Sequence, residues 1–170
     1  MTINFLRGAA LVVALLGTTP AFAQTSQTME SNALLLKPLT LTKLSDLDFG
    51  SIIPSGTGDL VTINADTGAR TSPTAMLITT DPGFRARFAS SGLDTTFVVL
   101  QISPAADLTD SAGNTLTVTR RDLDQGGNPL RMLTPSSQVF FVGIGGQVFV
   151  RGNQPDGTYS GTFTLTANYL

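Results

Sequence analysis

From residue 34 onward the chain has no window with a 3.6-residue apolar period. Short runs that alternate apolar and polar positions recur instead, separated by clusters of Gly, Pro, Asn and Asp. These runs predict strands at 34–43, 60–64, 75–79, 84–89, 96–102, 115–120, 139–144, 147–151 and 158–169. In the 84–89 run Phe84, Ala86 and Phe88 are expected to face inward and Arg85 and Arg87 outward, the two arginines serving solubility and discouraging edge pairing. Leu116 and Val118 occupy the inward positions between threonines. Gly145-Gly146 lies between two apolar runs and predicts a two-residue hairpin, because glycine reaches positive φ freely. Residues 110–114 and 153–157 are expected to be loops. Eight or nine short strands at regular spacing argue for a single antiparallel β-sandwich of seven to nine strands over 34–170, with a barrel as the second choice.

The last run carries the most information. Positions 158, 160, 162, 164, 166 and 168 are polar, while 159, 161, 163, 165, 167 and 169 are Tyr, Gly, Phe, Leu, Ala and Tyr. A strand sends successive side chains to opposite faces, so one side of this segment is apolar almost to the terminus. Fully burying Tyr159, Phe163, Leu165 and Tyr169 is worth roughly 1.5–3 kcal/mol each. Their sum is comparable with the whole net stability of a domain, so the strand must be covered, either by this chain or by another.

The N-terminus has a different pattern. Residues 1–7 are short and basic, 8–17 are apolar, and Ala21-Phe22-Ala23 gives an A-x-A spacing. This predicts a secretory signal peptide cleaved after Ala23. The apolar run is about half of the ~20 residues that a membrane span needs, and no later stretch of the mature chain is long enough to span. Residues 24–33 are polar and are expected to form a flexible arm. Composition narrows the function. The 170 residues contain no Cys and no His, which excludes disulfides, thiol nucleophiles, Cys-based zinc sites and His-dependent triads. Ten basic and 12 acidic residues, at 13% charged, leave no basic face for nucleic acid. A non-catalytic protein without cofactor, in the periplasm, at the cell surface or secreted, is the expectation.

The C-terminal residues resemble those of pilins assembled by the bacterial chaperone–usher route, in which apolar residues alternate, the penultimate residue is Tyr (here Tyr169) and a Gly stands fourteenth from the end (here Gly157). That resemblance implies an immunoglobulin-like sandwich lacking its last strand, with a periplasmic chaperone, an usher and neighbouring subunits as partners. It assigns Gly157, Tyr159, Phe163, Leu165 and Tyr169 to the assembly strand, with Gly157 permitting the turn into it. Two departures stand beside it: there is no disulfide, and the arm offers only Met29 and Ala33 as apolar residues. A resemblance over nearly the whole mature chain is to an uncharacterised family of secreted bacterial β proteins, domain of unknown function 4402. It is carried by residues 37–43 (KPLTLTK), 47–51 (LDFGS), 61–64 (VTIN) and 157–163 (GTYSGTF). That family is similar to spore coat protein U-like subunits, implying a structural protein of a Gram-negative envelope. The alternative is a monomeric envelope or matrix protein that closes its own sandwich, with or without a bound glycan.

Other signals point more weakly to chemistry. Asp66-Thr67-Gly68 matches the core of a retroviral-type aspartic protease, in which two carboxylates share a proton. Here Asn64 and Ala65 separate it from the apolar run 61–63, so a turn is the expected structure. The pairs Asp46/Asp48, Asp107/Asp110 and Asp122/Asp124 are oxygen donors suited to calcium but lack a regular ligand spacing, and solvated turns are expected. Gly143-Ile144-Gly145-Gly146 is no dinucleotide fingerprint, since a strand rather than a helix follows it.

Overall fold

The computed structural model describes residues 27–170, so the predicted leader at 1–23 and residues 24–26 of the arm lie outside the described residues. Residues 27–34 form neither strand nor helix, and their side chains are exposed. The rest is all-β. The strands are β1 (Thr40–Ser45), β2 (Ile52–Ile53), β3 (Asp59–Ile63), β4 (Arg70–Thr71), β5 (Met76–Leu77), β6 (Ala86–Ser91), β7 (Phe97–Ile102), β8 (Leu108–Thr109), β9 (Thr115–Leu123), β10 (Leu130–Met132), β11 (Val139–Val150) and β12 (Leu165–Tyr169). Seven of these twelve have five residues or more, within the predicted range. The one helical segment described, Asp124–Gly127, is a single turn in which Gln125 and Gly126 have positive φ.

The arrangement is a sandwich of antiparallel sheets. One layer runs β1-β6-β11-β3-β4, with β9 also paired to β11 and β8 beyond β9. Opposite it lie a three-stranded sheet, β10-β7-β12, and the short pair β2-β5. Two apolar clusters join the layers. In the first, Val61, Ile63, Val148, Val150, Leu116 and Val118 meet Phe49 and Ala75, with Leu77 and Tyr159 packed on the margin. In the second, Ala86, Val142, Ile144 and Leu123 meet Val98, Leu100, Leu133 and Leu165. Period-two alternation explains both: Leu116 and Val118 are buried as expected between exposed or half-exposed threonines.

Three expectations are corrected. The strand predicted at 34–43 begins only at Thr40, because Leu34-Leu35-Leu36 is a continuous apolar run without alternation and Pro38 has no N–H to donate to a ladder. Leu34 and Leu35 are more than four-fifths exposed. The strand expected at 84–89 begins at Ala86, with Phe84 in an isolated bridge to Asp48 and its ring half-exposed.

The third correction concerns Gly145-Gly146, which forms no hairpin. These residues lie inside β11, a single twelve-residue strand that joins the two runs predicted on either side. Its Gly143–Gly146 stretch is in register with β6, β9 and β3 in turn. The glycines are there for close approach. A Cβ on Gly145 would stand 2.2 Å from the Ile63 carbonyl oxygen and 2.6 Å from the Ala65 nitrogen, and one on Gly143 would stand 2.4 Å from the Ala65 oxygen. Glycine inside a strand lets the neighbouring backbone lie directly on it.

Candidate functional site

The predicted assembly strand divides into two. Only Leu165–Tyr169 is a strand; Ser160 makes an isolated bridge to Thr109, and 161–164 carry no strand. The alternation nevertheless persists: Phe163, Leu165, Ala167 and Tyr169 are buried or half-buried, and every even-numbered residue from 160 to 170 is exposed.

β12 is an edge strand among the described residues, paired only with β7. The Ser103 amide donates to the Thr164 carbonyl at 2.9 Å and the Leu170 amide to the Phe97 carbonyl at 3.0 Å. In an antiparallel ladder hydrogen-bonded pairs alternate, so the even-numbered residues face β7. The N–H and C=O groups of Leu165, Ala167 and Tyr169 therefore point to the outer edge. Their side chains join the second cluster beside Leu39, Leu41, Phe88 and Phe140, all of them only partly buried. β1, whose Leu41 flanks this seam together with the preceding Leu39, also ends its sheet as an edge among the described residues.

Tyr169 closes one end of the seam. Its hydroxyl accepts from the Leu93 N–H at 2.6 Å and donates to the Lys37 carbonyl at 2.9 Å. The hydroxyl passes so near Gly92 that a Cβ there would lie 2.3 Å from it. Nothing in the local pattern around Gly92 signals this, because the clash comes from a residue far along the chain. At the other end the Arg121 guanidinium lies over the Phe163 ring, 5.2 Å from its centroid, and donates to the Pro104 and Ala106 carbonyls. Desolvation lowers the Arg121 pKa, which still leaves it a cation.

Tyr159 and Gly157 are not part of this strand. Tyr159 packs on the first cluster instead, its hydroxyl donating to the Pro155 carbonyl at 2.7 Å and accepting from Gln154 Nε2 at 2.8 Å. Gly157 does not have the positive φ of a turn glycine; a Cβ there would lie 3.2 Å from Asp110 Oδ2. Both residues line a cleft of about 520 Å³ between residues 47–54 and 154–159, with Leu108, Leu116 and Val150 at its base.

The remaining candidates serve local structure. Asn64 Oδ1 accepts the Asp66 and Thr67 amides, Gly68 has φ +78°, and the D-T-G trio is a turn. Asp66 Oδ1 accepts the Gln125 N–H. Arg85, expected to be a free outer-face cation, pins this turn through the Ala65 and Asp66 carbonyls, whereas Arg87 lies over the exposed Phe141 ring. Asp46 pairs with Lys43 and Asp122 with Arg120. Asp110 gathers the Asn114 side chain and the Ala112 and Asn114 amides, and these hydrogen bonds, the Asn114 side chain first, lower its pKa. No group of three or more acidic residues placed to hold a metal occurs among the described residues.

Asp59, which the sequence did not single out, is the most heavily engaged carboxylate, and Asp124, expected to be a solvated turn charge, is held by tertiary partners. Asp59 is buried and accepts from the Ser72 hydroxyl, from the Thr74 hydroxyl and amide, and from the Ala75 amide. The Ser72 bond, followed by the backbone amides, holds its carboxyl well below the usual range against the opposing effect of burial. Asp124 bridges the almost fully buried Arg131, at 2.5 Å, and the Gly143 N–H, at 2.8 Å.

The chain belongs to a β-rich family of domains of unknown function (DUF4402), whose model matches residues 39–169. No curated protein and no solved structure matches it.

Proposed function

We propose that this is an exported, non-catalytic structural protein of a Gram-negative envelope, assembled by addition of a strand from another chain along the outer edge of β12. The carrying observation is the backbone of Leu165, Ala167 and Tyr169, unpaired on its outer side among the described residues, beside a seam with several only partly covered apolar side chains. Strand addition supplies both missing parts: main-chain hydrogen bonds for the edge and side chains for the seam. The resemblance of the C-terminus to chaperone–usher pilins, with its penultimate Tyr169, supports a periplasmic chaperone, an usher and like subunits as the donors. The leader-like N-terminus supports export.

Hydrogen exchange tests this amide by amide. In the isolated chain the Thr166, Asn168 and Leu170 amides are expected to be protected and those of Leu165, Ala167 and Tyr169 to exchange freely. In material recovered from the cell envelope the second set is expected to become protected as well. Exchange that stays free in the envelope form, or is already slow in the isolated chain, overturns the reading. The second outcome is what a self-closed monomer gives, a reading favoured by the Tyr169 hydroxyl bridging Lys37 and Leu93 within one chain.

A further inference from the structure

The cleft between residues 47–54 and 154–159 is separate from the β12 seam, since no residue of β12 lines it. Its volume, about 520 Å³, lies within the ~300–1,000 Å³ typical of small-molecule sites. The base is apolar and belongs to the first core cluster, and the half-buried Tyr159 stands on the wall, whereas Phe49, 9% exposed, turns its ring tip toward Gly146 in the core. The Tyr159 hydroxyl is engaged by Gln154 and Pro155, which fixes the ring in place.

The rim is polar and one-signed. Asp48 uses Oδ1 for the Gly50 N–H at 2.7 Å, and Asp81 uses Oδ2 for the Ser51 hydroxyl at 2.6 Å. The second oxygen of each carboxylate has no protein partner among the described residues, and Asp156 adds a third carboxylate to the lining. No Lys or Arg is among the lining residues; Arg70 lies behind the rim with its guanidinium donating to the Phe49 and Ser51 carbonyls, so the exposed charges of the lining are carboxylates. The three carboxylates do not form a three-ligand group placed to hold a metal ion among the described residues.

What this combination accepts is a neutral molecule that donates several hydroxyl hydrogen bonds at its edge and lays an aliphatic C–H face on apolar and aromatic walls. A pyranose has that form. We propose that the cleft is a carbohydrate site taking one or two neutral sugar units, with Asp48 and Asp81 as hydroxyl acceptors and the Tyr159 ring with the apolar base as the platform. The site is independent of strand addition at β12.

The test is an NMR titration of the isotopically labelled full chain with the methyl glycosides of glucose, galactose, mannose and N-acetylglucosamine. At least one glycoside is expected to give saturable shifts confined to the amides of 48–51, 154 and 156–159. Asp81→Asn should weaken that binding about tenfold, as expected for a lost hydrogen bond to a charged acceptor. Thr158→Trp, which fills the mouth from an exposed position, should abolish it while leaving the remaining spectrum in place. If Thr158→Trp fails to fold, the Asp81→Asn titration alone decides. The proposal is overturned by the absence of saturable shifts with all four glycosides, by shifts that map elsewhere, or by calcium chloride alone reproducing the pattern.

Discussion

Gly145 of β11 and Gly56, in the turn before β3, show how one residue type carries two physical meanings. Gly145 and Gly56 both lie outside the positive-φ region, yet a Cβ on Gly56 meets nothing within 4 Å while one on Gly145 meets backbone at 2.2 Å. Backbone atoms cannot swing aside as a side-chain tip can. Gly145→Ala is therefore expected to cost more than the ~1–3 kcal/mol usual for overpacking. Gly56→Ala should stay within about 0.5 kcal/mol of the parent. Urea midpoints of the two variants check this, and equal midpoints would contradict the close-approach account. The sequence could not distinguish the alternatives at Gly145-Gly146. A glycine pair between apolar runs fits a primed turn as well as a continuous strand on which a neighbour's backbone rests, and the neighbour, Ile63–Ala65, is some eighty positions away.

At the level of elements, alternation was legible wherever a strand has one buried and one open face. β12 follows it residue by residue and β9 follows it from Thr115 to Thr119, before its register against β11 shifts at Gln147/Val148, and Leu116, Val118 and Leu165 are buried where the pattern places them. The pattern failed where polar groups hold the structure. Arg131 sits in β10 at a buried position, and no apolar periodicity announces a guanidinium there. It is held by Asp124, whose other oxygen accepts the Gly143 amide and so ties the 124–127 turn to β11. Residues 122 and 124 read in sequence as solvated turn charges because their partners are supplied by tertiary structure. Asp124→Ala would leave Arg131 buried without its counter-ion, at an expected cost of about 3–5 kcal/mol. The double variant Asp124→Ala, Arg131→Met should recover most of that loss, since the desolvated charge goes with the arginine. Denaturant unfolding of the two variants measures the difference, and a double variant no more stable than the single would show that Asp124 acts through the Gly143 amide instead.

Across the whole molecule, several charged side chains hold local structure: Arg70, Arg85, Asp59 and the Asp124–Arg131 pair each bind backbone groups. With no histidine, no side chain of ordinary pKa titrates between about pH 5 and 8, so stability should be flat over that range. Below it, Asp59 and Asp110 dominate. Both carboxyls are held below the ordinary carboxylate value of about 3.8, Asp59 chiefly by Ser72 and Asp110 chiefly by Asn114. A carboxyl with a depressed folded-state pKa binds protons more readily when unfolded. Its contribution is thus complete above the unfolded value and is lost as pH falls from about 4 through the lower folded value. Melting temperatures should hold steady down to about pH 5 and then drop. Asp59→Asn should lower the plateau, because an amide cannot accept from Ser72, Thr74 and Ala75 as a carboxylate does, and should make the acid limb shallower. An unchanged acid limb in Asp59→Asn would mean that the hydrogen bonds around Asp59 persist in the unfolded chain or form too weakly to shift its proton affinity.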